Sequence, residues 1–207
     1  MIEQLAKHRV IPVIALEHES DAAPLADALI AGGLPVAEIT FRTAAAEASI
    51  KAMAKYPQLL LGAGTVLSVD TVKKAVDAGA RYIVSPGLDE AVVSYCVGHS
   101  IPIVPGAITP TEIQRALSMG LTTVKFFPAD AFGGLKSIKA LAAPLAAARF
   151  IPTGGINASN LAEYLAFKPI VACGGSWVVT KDLLAAKNWA EITRLAAESV
   201  KIAQASK

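Results

Sequence analysis

The sequence predicts an α/β protein in which eight parallel strands alternate with helices and close into a (β/α)8 barrel, with a short N-terminal cap helix. Three observations carry this prediction. Eight short apolar runs, rich in β-branched residues, recur along the whole chain. Their ends, at Ala15, Thr40, Gly64, Ser85, Pro105, Phe127, Thr153 and Gly174, fall 20 to 26 residues apart, which leaves room in each interval for one helix and two short loops. The intervening segments are Ala-rich with helical apolar spacing, so strand and helix alternate strictly, the pattern of parallel strands joined by right-handed crossovers.

Taken in order, the residues before the first run are expected to form the cap helix. The runs themselves are VIPVIA (10–15), VAEIT (36–40), LLLGAG (59–64), RYIVS (81–85), IPIVP (101–105), TVKFF (123–127), RFIPT (149–153) and IVACG (170–174). They are nearly continuous in apolar residues, as strands covered on both faces must be. Between them, DAAPLADALIAGG (21–33) and SVDTVKKAVDAGA (68–80) show helical spacing and finish in glycine. Ser68, Asp89 and Ser159 are expected N-caps, and Gly32, Gly79 and Gly120 expected C-terminal stops. NWAEITRLAAESVKIAQA (188–205) is expected to be the last helix. A doubly wound open sheet is the competing architecture, but it ordinarily carries a glycine-rich loop after its first strand, and LEHES (16–20) has no glycine. At 207 residues the chain sits near the lower end for a TIM barrel, read here as one domain over 1–207.

Hydrophobic residues make up 54% of the chain and charged residues 17%, enough apolar material for a large core and too little charge for a disordered chain. The net charge is +2, with no run of five or six like charges, so neither nucleic acid nor an anionic membrane is an expected partner. The opening MIEQLAKHRV mixes Glu, Lys, His and Arg and lacks the pattern of a signal peptide, and a cytoplasmic location is expected. Residues 91–111 contain no Asp, Glu, Lys or Arg, but Pro102, Pro105 and Pro110 interrupt them, which fits a loop and a buried strand better than a membrane span. Cys96 and Cys173, without any C-x-x-C pattern, are read as small buried hydrophobes.

In a barrel, function gathers at the C-terminal ends of the strands. Few polar residues pass that filter: Glu38, Thr40, Arg42, Thr65, Lys125, the pair Gly154 and Gly155, and the set Gly174, Gly175 and Ser176. Lys125 stands out, because TVKFFPA places an ammonium inside a strand otherwise built of Val and Phe. Burial disfavours the charged form and favours the neutral amine that attacks ketones, the competing reading being a snorkelling or salt-bridged lysine. In VAEITFR, alternation puts Glu38, Thr40 and Arg42 on one face and Ile39 and Phe41 on the other. Glu38 and Arg42 would lie roughly 13 Å apart along the strand. A general acid/base at Glu38 with a carboxylate fork at Arg42 is one reading, a structural Glu38–Arg42 pair the other. The loops PTGGIN (152–157) and CGGSW (173–177) offer backbone N–H groups and the Ser176 hydroxyl where this architecture commonly binds phosphate; either glycine pair taken alone also fits an ordinary turn. GAGTV (62–66) adds a tight approach and the Thr65 hydroxyl, while SPGL (85–88) has no assignment from spacing. His8, His18 and His99 are scattered and the carboxylates lack ligand spacing, so neither a metal nor another cofactor is expected.

Together, GLPVAEITFR (33–42) and GLTTVKFFPADAFGG (120–134) resemble the paired signatures of the 2-keto-3-deoxy-6-phosphogluconate (KDPG) / 4-hydroxy-2-oxoglutarate (KHG) aldolase family. GAGTVL, VSPGL, PTGGI and GGSW follow in the family's order, so the resemblance covers essentially the full length. It implies a cofactor-independent class I aldolase, a lyase on a (β/α)8 barrel and normally a homotrimer, that cleaves the phosphorylated sugar acid to pyruvate and glyceraldehyde 3-phosphate. Carried over by motif, Lys125 forms the Schiff base and Glu38 moves protons. Arg42 and Thr65 hold the carboxylate, Pro86 lines the pyruvate pocket, and Gly154, Gly155, Gly175 and Ser176 bind phosphate. The same enzyme is expected to cleave 4-hydroxy-2-oxoglutarate to pyruvate and glyoxylate. Two alternatives stay open: the galactonate-series aldolase, and a phosphosugar isomerase or epimerase in which Lys125 only stabilises an enolate.

Overall fold

In the computed structural model, which describes residues 1–206, all eight expected runs contribute strands. They are β1 Val10–Ile14, β2 Val36–Thr40, β3 Leu60–Gly64, β4 Tyr82–Val84, β5 Ile103–Val104, β6 Thr123–Phe126, β7 Arg149–Pro152 and β8 Cys173–Gly175. A parallel sheet runs in the order β5-β4-β3-β2-β1-β8, and β6 pairs in parallel with β7. Two seams join these pieces. At one, Gly106 bridges Lys125, with Lys125 N donating to Pro105 O at 2.8 Å and Ala107 N to Lys125 O at 2.9 Å; at the other, Thr153 bridges Gly174. An open sheet leaves two unpaired edges. Here both are closed, so the barrel reading stands and the doubly wound sheet does not.

The helices are α1 Ile2–His8, α2 Ala22–Ala31, α3 Ala46–Met53, α4 Val69–Asp77, α5 Glu90–Gly98, α6 Pro110–Ser118, α7 Gly134–Ala142, α8 Leu161–Leu165, α9 Lys181–Ala185 and α10 Trp189–Ala205. α1 is the expected cap helix, anchored through the fully buried Leu5. α9 is a short extra helix after β8, and α10 begins at the N-cap Asn188, whose side chain accepts from Glu191 N. Ser68 and Asp89 cap α4 and α5 as expected, by accepting from Thr71 N and Val92 N. The expected cap Ser159 is corrected to Asn160: the polar run Asn157–Asn160 folds on itself, Ser159 donating to Asn157 Oδ1 instead of accepting from the helix. Gly79 and Gly120 stop their helices in the left-handed region, but at the end of α2 that conformation belongs to Gly33, with φ 71°. Gly32 is the C-cap of α2 as expected, its N–H donating to Ala28 O, and it also serves packing, since a Cβ there would meet Ala196 of α10 at 2.6 Å. The last strand also starts later than its apolar run. Ile170 makes one isolated bridge to Phe150, and the ladder with β1 begins only at Cys173.

The core is continuous around the barrel, with Ile14, Ile39, Ile50 and Phe150 fully buried. Among the described residues no helix is long and apolar enough to cross a membrane. Cys96 and Cys173 are free buried thiols, and burial raises both, Cys96 to about 11 and Cys173 further still.

Candidate active site

Lys125 leaves β6 between Val124 and Phe126, each 1% exposed, and is itself 6% exposed. Its Nζ lies 3.0 Å from Oε1 of Glu38 on β2, 87 residues away in sequence and 3% exposed. A buried ion pair survives only when geometry compensates desolvation, and the neighbouring strands are shaped around this one. Glu38, Gly62 and Tyr82 are register partners across β2, β3 and β4. Because Gly62 has no side chain, the Tyr82 ring crosses over it, and its hydroxyl donates to Ala37 O at 3.1 Å. Burial, and after it the Glu38 charge, pushes the Tyr82 phenol well above its ordinary range, so it stays a donor. Gly64 leaves room for the carboxylate itself: a Cβ there would overlap Glu38 Oε1. Chemically, the pair sets a nucleophilic nitrogen against a carboxylate that can take its proton without solvent.

The Glu38–Arg42 pair considered from the sequence does not form. Glu38 turns to Lys125, while Arg42, exposed at the mouth, donates through Nε to Thr40 Oγ1 at 3.0 Å, and Thr40 in turn donates to Ile14 O. Arg42 and Ser176 line one cavity of about 270 Å3 beside the end of β1. Thr65 follows β3 with φ 56°, a left-handed conformation that costs a non-glycine residue about 1 kcal/mol or more and tends to mark functional sites. Pro86 is drawn toward Lys125 through Gly106, where a Cβ would overlap the Pro86 carbonyl. Gly154 and Gly155, with φ 96° and 80°, form a loop whose Gly155 carbonyl accepts from Asn160 Nδ2 at 2.9 Å. Gly175 lies against the Trp177 ring, which is tethered by Nε1 to Ser199 Oγ of α10 at 3.2 Å, and Ser176 is exposed beside it. Arg42, Thr65, Pro86, Gly154, Gly155, Gly175 and Ser176 therefore belong to the C-terminal ends of strands or the loops that follow them, while Glu38 and Lys125 lie inside β2 and β6.

Sequence reasoning missed three neighbours. Thr153 directly follows β7 next to Gly174 and is 5% exposed, and its hydroxyl has no hydrogen-bond partner among the described residues. Its place directly before the Gly154–Gly155 pair was a usable signal. The Phe127 ring centroid lies 5.4 Å from Lys125 Nζ, and the ring is 37% exposed. Tyr82 gave no signal, because only the tertiary register brings it to Glu38. Among the described residues no group of three or more His, Cys, Asp or Glu is disposed to hold a metal.

The family model for KDPG and KHG aldolase matches residues 1–195. The chain belongs to this family. It is accordingly an aldolase, a carbon–carbon lyase. The 2-dehydro-3-deoxy-phosphogluconate aldolase of Treponema pallidum is 49% identical over 203 residues, covering 98% of this chain and 97% of the relative. The KHG/KDPG aldolase of Escherichia coli strain K12 is 43% identical over 192 residues, 92% of this chain and 90% of the relative. The Legionella pneumophila KDPG aldolase, solved with pyruvate captured at low pH as a covalent carbinolamine intermediate, superposes with a TM-score of 0.92 at 38% identity, covering 95% of this chain and 97% of that one.

Proposed function

We propose that this aldolase cleaves 2-dehydro-3-deoxy-6-phosphogluconate to pyruvate and D-glyceraldehyde 3-phosphate through a Schiff base on Lys125. The observation that carries this reading is the buried Lys125–Glu38 contact of 3.0 Å between β6 and β2. Glu38 takes a proton from Nζ, and the neutral amine attacks the C2 ketone to give a carbinolamine. Glu38 returns that proton to the carbinolamine hydroxyl, which leaves as water to give the protonated imine. Glu38 then removes the C4 hydroxyl proton, the C3–C4 bond breaks, and its electron pair moves into the imine to form an enamine as the aldehyde leaves. Protonation at C3 and hydrolysis release pyruvate and the free lysine. Arg42 and Thr65 hold the carboxylate, Pro86 lines the pyruvate pocket, and the backbone N–H groups of Gly154, Gly155 and Gly175 with the Ser176 hydroxyl receive the phosphate. The captured carbinolamine of the Legionella relative supports the covalent route.

Cleavage of 4-hydroxy-2-oxoglutarate to pyruvate and glyoxylate uses the same pyruvate half, and the E. coli relative carries both substrates in its name. We also infer a homotrimer. Leu67, Val97 and Phe132 are 63%, 46% and 49% exposed, the kind of apolar surface an interface covers. Sedimentation that shows only monomer removes that part.

The deciding experiment is borohydride reduction with excess pyruvate followed by peptide mass mapping. A pyruvyl adduct confined to the peptide containing Lys125 is expected, and Lys125→Ala should lose both adduct and cleavage while keeping the fold. No adduct on folded protein turns the reading toward an isomerase or epimerase, with Lys125 reduced to an electrostatic role.

A further inference from the structure

We propose that Lys181 is the residue that makes this enzyme prefer phosphorylated substrates, its ammonium holding the phosphate at the Ser176 end of the site. The proposal deepens the aldolase reading and rests on it. Two cavities meet beside the ends of β1 and β8. The inner one, about 270 Å3, carries Arg42, Ser176, Thr180 and Lys181 above an apolar floor that includes Val13 and Leu184. The outer one, about 510 Å3, is lined by Glu17, His18 and Asp21 together with Lys181 and Lys187. Lys181 belongs to both, so it stands between the cavity that holds Arg42 and Ser176 and the outer one.

Charge balance assigns the role. The substrate brings a carboxylate at one end and a phosphate of about −1.5 to −2 charges at the other. The glycine loops and Ser176 offer donors that are all neutral. Two cations line the inner cavity, Arg42 and Lys181. Arg42 is oriented by Thr40 Oγ1 from the β2 side, where the carboxylate is placed. Lys181 remains for the phosphate. Among the described residues it forms no ion pair, although Glu17 and Asp21 share the outer cavity with it. Its backbone is nevertheless fixed: Thr180 Oγ1 caps α9 by accepting from Leu183 N at 3.3 Å, and Leu184 buries the helix against the barrel. A free ammonium on a fixed stem five residues beyond Ser176 is suited to a spherical dianion, for which lysine acts as a point charge.

The test compares two acceptors that differ only in the phosphate, D-glyceraldehyde 3-phosphate and D-glyceraldehyde, condensed with pyruvate by the wild type, Lys181→Met and Lys181→Arg. The wild type is expected to favour the phosphorylated acceptor. Lys181→Met should lower the ratio of the two kcat/KM values about tenfold or more, chiefly through the KM of the phosphorylated acceptor, and Lys181→Arg should restore most of it. A wild-type ratio near one, a ratio unmoved by Lys181→Met, or equal losses on both acceptors overturns the proposal. Pyruvate trapping on Lys125 is read in the same proteins. Trapping that persists while the ratio stays unmoved strikes only the role of Lys181, whereas failure to trap in the wild type strikes the aldolase reading itself.

Discussion

At the scale of single residues, the site is built as much by missing side chains as by present ones. Gly64 keeps the space that the Glu38 carboxylate occupies, so Gly64→Ala forces that carboxylate away from Lys125. Because misplacement of about 1 Å can cost on the order of a hundredfold in rate, cleavage should fall at least about tenfold with the circular dichroism spectrum unchanged; normal turnover would show that the carboxylate tolerates the shift. Glu38→Gln keeps the size and loses the base. Turnover should drop by roughly 10²–10⁴ while some pyruvyl adduct still forms on Lys125, and near-normal turnover removes its assigned role. Arg42→Ala should raise the KM for pyruvate with little effect on the fold, since the side chain is exposed and, among the described residues, bonds only to Thr40. Lys125 and Glu38 were legible in the sequence as charges set in apolar strands. A general acid/base at Glu38 implied a lysine nearby, but the direct 3.0 Å contact was not legible, because 87 residues separate them and nothing local states which strands face each other across a closed barrel.

At the scale of elements, strand existence followed from apolar runs bounded by turn residues, and the starts of α4 and α5 followed from Ser68 and Asp89, caps that accept from the third residue on. α6 shows the mechanism most fully. Thr109 accepts from Glu112 N, Glu112 Oε2 returns to Thr109 N at 2.9 Å, and Pro110 occupies the first turn, where its missing N–H costs nothing. Thr109→Ala should therefore cost about 1 kcal/mol, and up to about 2, read as a lower urea midpoint with an unchanged slope. No loss of midpoint would mean that packing of Ile113 alone holds the helix. Ser159 failed as a cap for a local reason: Asn157 Oδ1 accepts from both Ser159 N and Ser159 Oγ while Asn160 Oδ1 accepts from Asn157 N, and the polar run closes into its own turn. β8 started late because apolar character does not report pairing, and the stretch before Cys173 meets a neighbour only at Ile170.

For the whole molecule, burial of titratable groups sets the alkaline limit of stability. Cys96, Cys173, Tyr82 and Tyr164 are all raised, burial being the largest cause at each. Unfolded thiols lose their protons near pH 9.0 and tyrosines near 10.0, whereas the folded chain holds its protons to higher pH. In that window the native state binds more protons than the unfolded one, so stability is full below about pH 9 and declines as pH rises. The thermal midpoint should fall steadily between pH 9 and 11, and a flat midpoint across that range would contradict the burial of these groups. His8, lowered by burial, acts at the other limit and withdraws stability as pH falls below 6.5. By itself the sequence determined the fold class, the strand count, several helix ends and the residue types at the ends of the strands, because hydrophobic period and capping chemistry are local. The tertiary structure alone decided that Glu38 pairs with Lys125 instead of Arg42, that Tyr82 crosses Gly62 to reach Ala37, and that Lys181 lies beside Ser176 and Arg42. Those are distances between separate strands and loops, and they exist only once the sheet has closed and fixed its register.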